Sequence, residues 1–282
     1  MEIKTLTHQQ VLDLLPNRDI RAHKGNFGRI LMLCGSVGYT GAAALAAMGA
    51  LRSGAGLVFL GVPESVYPIL AMKLTEPVVF PLPAAEGRFS LDAIPEIGRR
   101  LSSMDAVLLG PGMGCSEGTE AVLDFVLSHF DGPIVLDADG INLAAMHKDW
   151  IRGRSGITVL TPHEGEFTRL GYSLSGDRIS DAVGAAADLG GIVVLKGHGT
   201  VITDGVNCYV NSTGNPGMAV GGSGDVLAGM IASLLAQGIP HLQAVACGVW
   251  LHGASGDSCA KALGQYGMLP SDMLAVLPQL MK

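Results

Sequence analysis

The chain has 282 residues, of which 15% are charged and 5% aromatic, with 40 glycines and a formal net charge of −7. That acidic balance lacks the basic footprint selected by nucleic acid or an anionic membrane surface, so neither partner is expected and a small molecule is. The five cysteines, Cys34, Cys115, Cys208, Cys247 and Cys259, are scattered with no CxxC and no zinc-ligand spacing, and are read as reduced packing residues of a cytoplasmic protein.

In chain order, MEIKTLTHQQ carries charge and no apolar h-region follows, so no signal peptide is expected. A first strand is predicted over Ile30–Cys34, then a helix over Gly41–Ser53. Ile30 to Leu51 holds no charge, long enough to span a bilayer at ~20 residues. The central GSVGYTG and the closing Arg52 favour instead a strand, a glycine turn and an alanine-rich helix. Short β-branched runs predict further strands at Leu57–Leu60, Ala106–Leu109, Ile134–Leu136, Ile157–Leu160 and Ile192–Leu195. Helical stretches lie at Glu117–Ser128 and Arg178–Leu189, and Pro77, Pro81 and Pro83 suggest a surface excursion. TVITDGVNCYV then predicts a hairpin around Asp204-Gly205, and three helices start from Asp225, His241 and Ser271. This alternation predicts a single α/β domain over residues 1–282, with a mainly parallel central sheet and helices on both faces.

Ligands of open parallel sheets sit beyond the carboxyl ends of the strands. Four turns there are unusual: GSVGYTGAA (35–43), GPGMG (110–114), DADG (137–140) and TPHEGE (161–166). None is a Walker A loop and none gives GxGxxG at a strand end, which weakens the P-loop and Rossmann readings. A lone glycine turn is ordinarily just a tight connection; several at one end of a sheet are harder to dismiss.

The stretch NPGMAVGGSGDVLAGMIASLLAQG (215–238) places glycines directly before a helix start. Glycines let backbone N–H groups approach a ligand, and a helix N-terminus attracts anions. Asp225 then has two readings, an N-cap for the helix or a carboxylate beside a bound phosphate. A cap needs no GGSG before it, and a carboxylate there could take a proton from a hydroxyl attacking the phosphate. His23, His147, His241 and His252 show no metal-ligand spacing and receive no role.

GGSGD (221–225) resembles the anion hole and base of the ribokinase-like superfamily. HKGNFGRILMLCGSVGYTGAA, LLGPGMG, VLDADGINL, TPHEGEFTRL, VVLKGHGTVITDG and the 215–238 stretch resemble, in order, the motifs of the ADP/ATP-dependent NAD(P)H-hydrate dehydratases, from about His23 to the last helices. The resemblance implies a ribokinase-like fold and a repair lyase. Such an enzyme returns the S form of NADH hydrate or NADPH hydrate to the working cofactor at the expense of ADP or ATP, with Mg2+. It also implies a homo-oligomer, often a tetramer. About twenty residues precede the first motif, so the epimerase domain that many bacterial members carry is expected to be a separate chain.

Carried over residue by residue, the resemblance makes Asp225 the base for the C6 hydroxyl and Gly222 to Gly224 the anion hole. Lys196, Gly197, His198, Gly199, Thr200 and Gly224 are implied nucleotide contacts. Ala43, Gly112 and His163 are implied to line the substrate pocket, with Ala42 and Gly114 as offset alternatives. Glu166 would organise magnesium through water, and Asp137 and Asn142 would assist near the phosphates. Two rivals stay open: a ribokinase-like kinase of a small vitamin-precursor alcohol, and a non-catalytic nucleotide sensor.

Overall fold

The structure is a computed structural model and describes residues 2–282. It opens with β1 (Ile3–Lys4) and α1 (His8–Leu14), then alternates β2 (Arg29–Leu33), α2 (Thr40–Arg52), β3 (Leu57–Pro63), α3 (Tyr67–Lys73) and β4 (Val78–Leu82). A ribbon of β5 (Ala84–Ala85) and β6 (Arg88–Phe89) precedes α4 (Ile94–Leu101), β7 (Ala106–Leu109), α5 (Glu117–His129) and β8 (Ile134–Leu136). Short helices α6 (Asp139–Ala144) and α7 (Lys148–Arg152) lead to β9 (Thr158–Leu160), α8 (Glu164–Arg169), α9 (Arg178–Leu189) and β10 (Ile192–Leu195). The hairpin β11 (Val201–Thr203) and β12 (Cys208–Val210) is followed by α10 (Ser223–Ala236), α11 (His241–Leu263) and α12 (Pro270–Leu280).

The large sheet has the order β1-β12-β11-β10-β9-β8-β7-β2-β3-β4. From β10 to β4 every neighbouring pair is parallel, and only β11 runs against its neighbours. The expected mainly parallel sheet is therefore present. Chain order reverses between β2, which leads to β3 and β4, and β7, which leads to β8, β9 and β10. A crevice at such a reversal is where open α/β sheets bind ligands, and its walls are the glycine turns that begin at Gly35 and Gly110.

Alternation along each strand fills two cores. Ile30, Met32, Leu108, Val135 and Val194 face one side with α2, α10 and α11. Leu31, Leu33, Leu109, Leu136 and Leu195 face the other with α5 and α9. Strands buried on both faces read as continuous apolar runs, which is why β2, β7, β8 and β10 were visible in the sequence. Helix α10 is buried almost all round and lies tightly on α2. At Gly229 a Cβ would sit 2.0 Å from the Ala46 carbonyl oxygen, and at Gly49 it would sit 2.6 Å from that of Val226. Small residues at these crossings let α10 pass closely over α2 and fix where its N-terminus emerges.

Two expectations need correction and a third holds. The proline-rich stretch is not a free excursion: Val78–Leu82 is the edge strand β4, with exposed Pro81 inside it, as edges permit because one side needs no N–H donors. The hairpin forms, but its loop runs over Asp204–Asn207, Thr203 pairing with Cys208. Asp204 Oδ1 holds that loop by accepting from the N–H groups of Val206 (2.9 Å) and Asn207 (2.6 Å). The charge-free Ile30–Leu51 stretch is buried strand, turn and helix, and no helix among the described residues is long and apolar enough to cross a membrane.

Candidate active site

The N-terminus of α10 decides between the two readings of Asp225. Gly222 is the N-cap residue, left-handed at φ 97°, and no side chain caps the helix. Asp225 sits in the first turn, two residues inside the helix start, so the N-cap reading falls. The first N–H groups of α10 are thus free of a side-chain acceptor at an exposed loop: Val220 and Gly221 lie on the surface, and a Cβ at Gly221 would meet nothing within 4 Å. Such an end offers donors and positive potential to an anion.

Next to it stands a charged cluster built from three strand ends. Lys196, after β10, donates from Nζ to Asp137 Oδ1 at 2.9 Å and pairs with Glu166 Oε2 at 3.6 Å. Thr161, after β9, donates to the same Asp137 oxygen at 2.6 Å. A Cβ on Gly224 would lie 3.5 Å from Lys196 Nζ and 3.8 Å from Asp137 Oδ2, so this cluster abuts the start of α10. Burial opposes the charge of Lys196, but Asp137 and Glu166 outweigh it and hold the ammonium above its usual range. Burial, with Asp137 and more weakly Asp139 adding repulsion against the pull of Lys196, pushes the Asp225 carboxyl up to about 6. A carboxylate poised near neutral pH beside an anion-binding helix end is suited to general base work.

The DADG turn is the hub that joins this cluster to the glycine turns of the crevice. Gly110, at φ 124°, could carry no Cβ, which would lie 1.8 Å from the Asp137 carbonyl oxygen. Ala138 adopts φ 48° and ψ −115°, a strained backbone of the kind that persists where surroundings over-determine it. Asp139 accepts the Gly114 N–H at 2.8 Å and the Asn142 amide at 3.3 Å. Ser36 donates to the Gly112 carbonyl at 2.8 Å, and the Gly35 N–H donates to Pro111 at 2.8 Å. None of these ties had a sequence signal beyond the turn chemistry, and Asp139 and Ser36 were not singled out.

The other expected positions distribute as follows. Gly197, His198, Gly199 and Thr200 form a loop beside Lys196, closed by Thr200 Oγ1 donating to the Gly197 carbonyl at 2.9 Å. His198 is exposed. Ala43 is 0% exposed, with its Cβ against Gly35, whereas Ala42 is half-buried and faces Gly112. His163 caps α8, its Nδ1 accepting from Gly165 at 2.9 Å and Glu166 at 3.3 Å, while its exposed ring turns Nε2 toward Glu166 Oε1 at 3.4 Å. Asn142 is held between Asp139 and the Arg169 guanidinium.

A cation site of protein groups alone is absent: no three His, Cys, Asp or Glu side chains cluster to hold a metal among the described residues. Glu166 is committed to the His163 N–H at 2.8 Å and to Lys196. Asp137 Oδ2, by contrast, makes no hydrogen bond among the described residues and faces Gly224. One free carboxylate oxygen facing an anion site fits Mg2+ carried by a nucleotide, which characteristically takes one or two carboxylates plus phosphate oxygens and water.

The doubly wound sheet, the uncapped glycine loop opening α10 and the carboxylate in its first turn define a ribokinase-like α/β protein. A ribokinase-like superfamily protein of Enterococcus faecalis superposes with a TM-score of 0.87 at 28% identity, over 99% of this chain and 95% of that one. The chain belongs to the NAD(P)H-hydrate dehydratase family, whose model matches residues 30–279. It is 36% identical to the ADP-dependent (S)-NAD(P)H-hydrate dehydratase of Bacillus subtilis, covering 100% of this chain and 99% of that protein. The crystal structure of the B. subtilis ADP/ATP-dependent NAD(P)H-hydrate dehydratase, co-crystallized with ATP/Mg2+, matches with a TM-score of 0.85 and 33% identity over 99% of this chain and 98% of that one. The bifunctional NAD(P)H-hydrate repair enzyme Nnr of Moorella thermoacetica is 42% identical over 95% of this chain but only 52% of its own length. The chain thus spans about half the length of the bifunctional relatives it matches.

Proposed function

We propose that this protein dehydrates the S form of NADH hydrate or NADPH hydrate in a reaction driven by a nucleoside diphosphate or triphosphate. The observation that carries the reading is Asp225, raised to about 6, in the first turn of a helix whose N-terminal amides lack a side-chain cap. Asp225 takes the proton of the C6 hydroxyl as that oxygen attacks the terminal phosphoryl group of ADP. The new O–P bond forms, the phosphoanhydride bond breaks, and AMP leaves. N–H groups from Gly222 to Gly224 then meet the charge on the phosphoryl oxygens, an oxyanion-hole role. In the second step the ring nitrogen pushes its lone pair toward C6, the C6–O bond breaks with phosphate leaving, and a C5 proton is lost to solvent. The products balance as reduced cofactor, AMP and inorganic phosphate.

Lys196 and the Gly197–Thr200 loop are assigned to the nucleotide, and Asp137, backed by Glu166, to nucleotide-borne Mg2+. When bound, that ion neutralises phosphate charge. Ala42, Ala43, Gly112, Gly114 and His163 are assigned to the hydrate end. The whole chain is read as one working unit. Five free cysteines, four of them buried, fit a reducing compartment such as the cytoplasm. The family resemblance further supports a homo-oligomer such as a tetramer. A kinase of a small alcohol would use the same base and anion loop, but the family match favours the dehydratase.

Recovery of the near-ultraviolet absorbance of reduced nicotinamide from S-NADH hydrate, compared with ADP, ATP and no nucleotide, tests the reading. Nucleotide-dependent recovery supports it and identifies the donor. No recovery with either nucleotide rejects it.

Gly112→Val separates the two ends of the site. At φ 60°, a Cβ at Gly112 would lie 2.7 Å from Tyr39 Cβ and 3.0 Å from Ala42 Cβ. Valine therefore levers the start of α2 away from the crevice while leaving the Lys196 loop untouched. Affinity for the hydrate is expected to fall at least about tenfold, roughly 1.4 kcal/mol, with ADP affinity nearly unchanged. Equal loss of both ligands by calorimetry would contradict the division.

A further inference from the structure

Beneath the anion loop lies a histidine that the reaction as written does not use. His252, on α11, is 7% exposed, and its Nε2 lies 2.9 Å from the Ser223 carbonyl oxygen and 3.3 Å from the Ser223 hydroxyl. A carbonyl cannot donate, so Nε2 carries the hydrogen and gives it to Ser223. Burial, despite that hydrogen bond, drives the imidazole down to about 4, so it is neutral at physiological pH.

The Ser223 carbonyl and the Gly224 N–H belong to one peptide group. That group is planar and trans, so its C=O and N–H point in opposite directions and turn together. Fixing the carbonyl from below therefore fixes the direction in which the Gly224 N–H points above. The same helix grips the chain leading into the loop. Thr213 Oγ1 donates to the Trp250 carbonyl at 2.9 Å, and Asp257 accepts from the Gly214 N–H at 2.9 Å and the Asn215 amide at 3.0 Å. Gly253 permits this approach, since a Cβ there would lie 2.2 Å from Thr213 Oγ1. Helix α11 thus holds the segment before the glycine loop through residues 250 and 257, and its far end through His252.

We propose that His252 is a positioning residue for phosphoryl transfer: by donating to the Ser223 carbonyl it aims the Gly224 N–H at the phosphoryl oxygen that becomes charged. This deepens the dehydratase reading and rests on it only for the identity of the acceptor. Donors aimed in advance at developing charge act chiefly on the transition state, so loss of the aim should lower kcat more than it weakens ground-state ligands.

Two variants test it. His252→Leu fills similar space without a donor, and His252→Gln places an amide N–H near the position of Nε2. Binding of AMP with aluminium fluoride and Mg2+, a mimic of the phosphoryl group in flight, is measured beside AMP alone, thermal midpoint and turnover. Losing one anion-hole donor outright costs about 10²- to 10³-fold, so His252→Leu, which only loosens the aim of one, is expected to lose about 10- to 100-fold in mimic affinity and kcat. AMP affinity and KM for the hydrate should stay within about threefold, and His252→Gln should recover most of the loss. If His252→Leu does not fold, His252→Asn, whose shorter amide cannot span the gap, replaces it against His252→Gln. Unchanged mimic affinity in the leucine variant would overturn the proposal. So would a loss spread equally over AMP affinity, thermal midpoint and turnover that glutamine fails to repair. If the wild-type protein binds the mimic but restores no NADH hydrate, and His252→Leu loses the mimic, the dehydratase reading falls while the positioning role stands.

Discussion

Replacing Asp225 by asparagine is expected to stop turnover and leave a more stable protein. A positioned general base contributes roughly 10²- to 10⁴-fold, and asparagine cannot accept the hydroxyl proton, so kcat should fall by about a thousandfold or more while ADP affinity persists. The stability sign follows from linkage. The folded carboxyl titrates at about 6 against 3.8 in the unfolded chain, so the folded protein holds this proton more tightly. The contribution of this one group is then most favourable below pH 4 and declines as pH rises through about 6, above which the full cost of the buried charge is present. A shift of this size corresponds to about 3 kcal/mol at most. Asp225→Asn should therefore melt about 5 °C higher at pH 8, with the difference closing below pH 4. The wild-type rate should rise with pH through about 6 as the base ionises. A variant less stable than wild type at pH 8, or one that retains turnover, would contradict this assignment.

Lys196→Met is expected to damage both stability and chemistry. The ammonium is the cation shared by Asp137 and Glu166, whose side chains are 3% and 7% exposed. Removing one partner of a buried pair strands the other's charge, at a cost of about 3 kcal/mol for a lysine that keeps some contact with water. The folded ammonium is held above its usual range, so the stability it contributes is fully present below the unfolded value and is lost only at more alkaline pH. Loss of the ammonium itself should accordingly cost the same at pH 6 and pH 9, so the deficit of the methionine variant should not shrink over that range. Lys196 also pulls the Asp225 carboxyl down, so the acid limb of the rate profile in Lys196→Met should move to higher pH. Denaturant unfolding within about 0.5 kcal/mol of wild type would contradict the pairing, since that is the scale of an inert surface change.

What the sequence could reveal tracks how local each signal is. Buried strands such as Ala106–Leu109 and Ile192–Leu195 match the observed elements because continuous β-branched runs have few other uses in a protein of this composition. The two-residue β1 and the proline-bearing β4 were missed because pairing at a sheet edge, rather than pattern, makes them strands. Helix α10 begins two residues before the expected Asp225 because its cap is glycine, which leaves no side-chain mark. The glycine turns pointed to one end of the sheet, yet the contacts that make a site there are distant in sequence. Asp137 and Lys196 are 59 residues apart, and Ser223 and His252 are 29 apart. Motif resemblance pointed to Asp225 and Lys196, since those positions sit in recognisable stretches. It gave no hint of His252, whose value comes from a single hydrogen bond across two helices.

The most direct test of phosphoryl transfer through Asp225 follows the oxygen. S-NADH hydrate carrying ¹⁸O in its C6 hydroxyl is converted with ADP and Mg2+, and the released inorganic phosphate is analysed by mass spectrometry. If the hydroxyl attacks the phosphoryl group and departs on it, the label is found in phosphate, one atom for each reduced cofactor restored. Label found in water, with unlabelled phosphate, would show that nucleotide hydrolysis and dehydration proceed separately and would contradict the role given to Asp225.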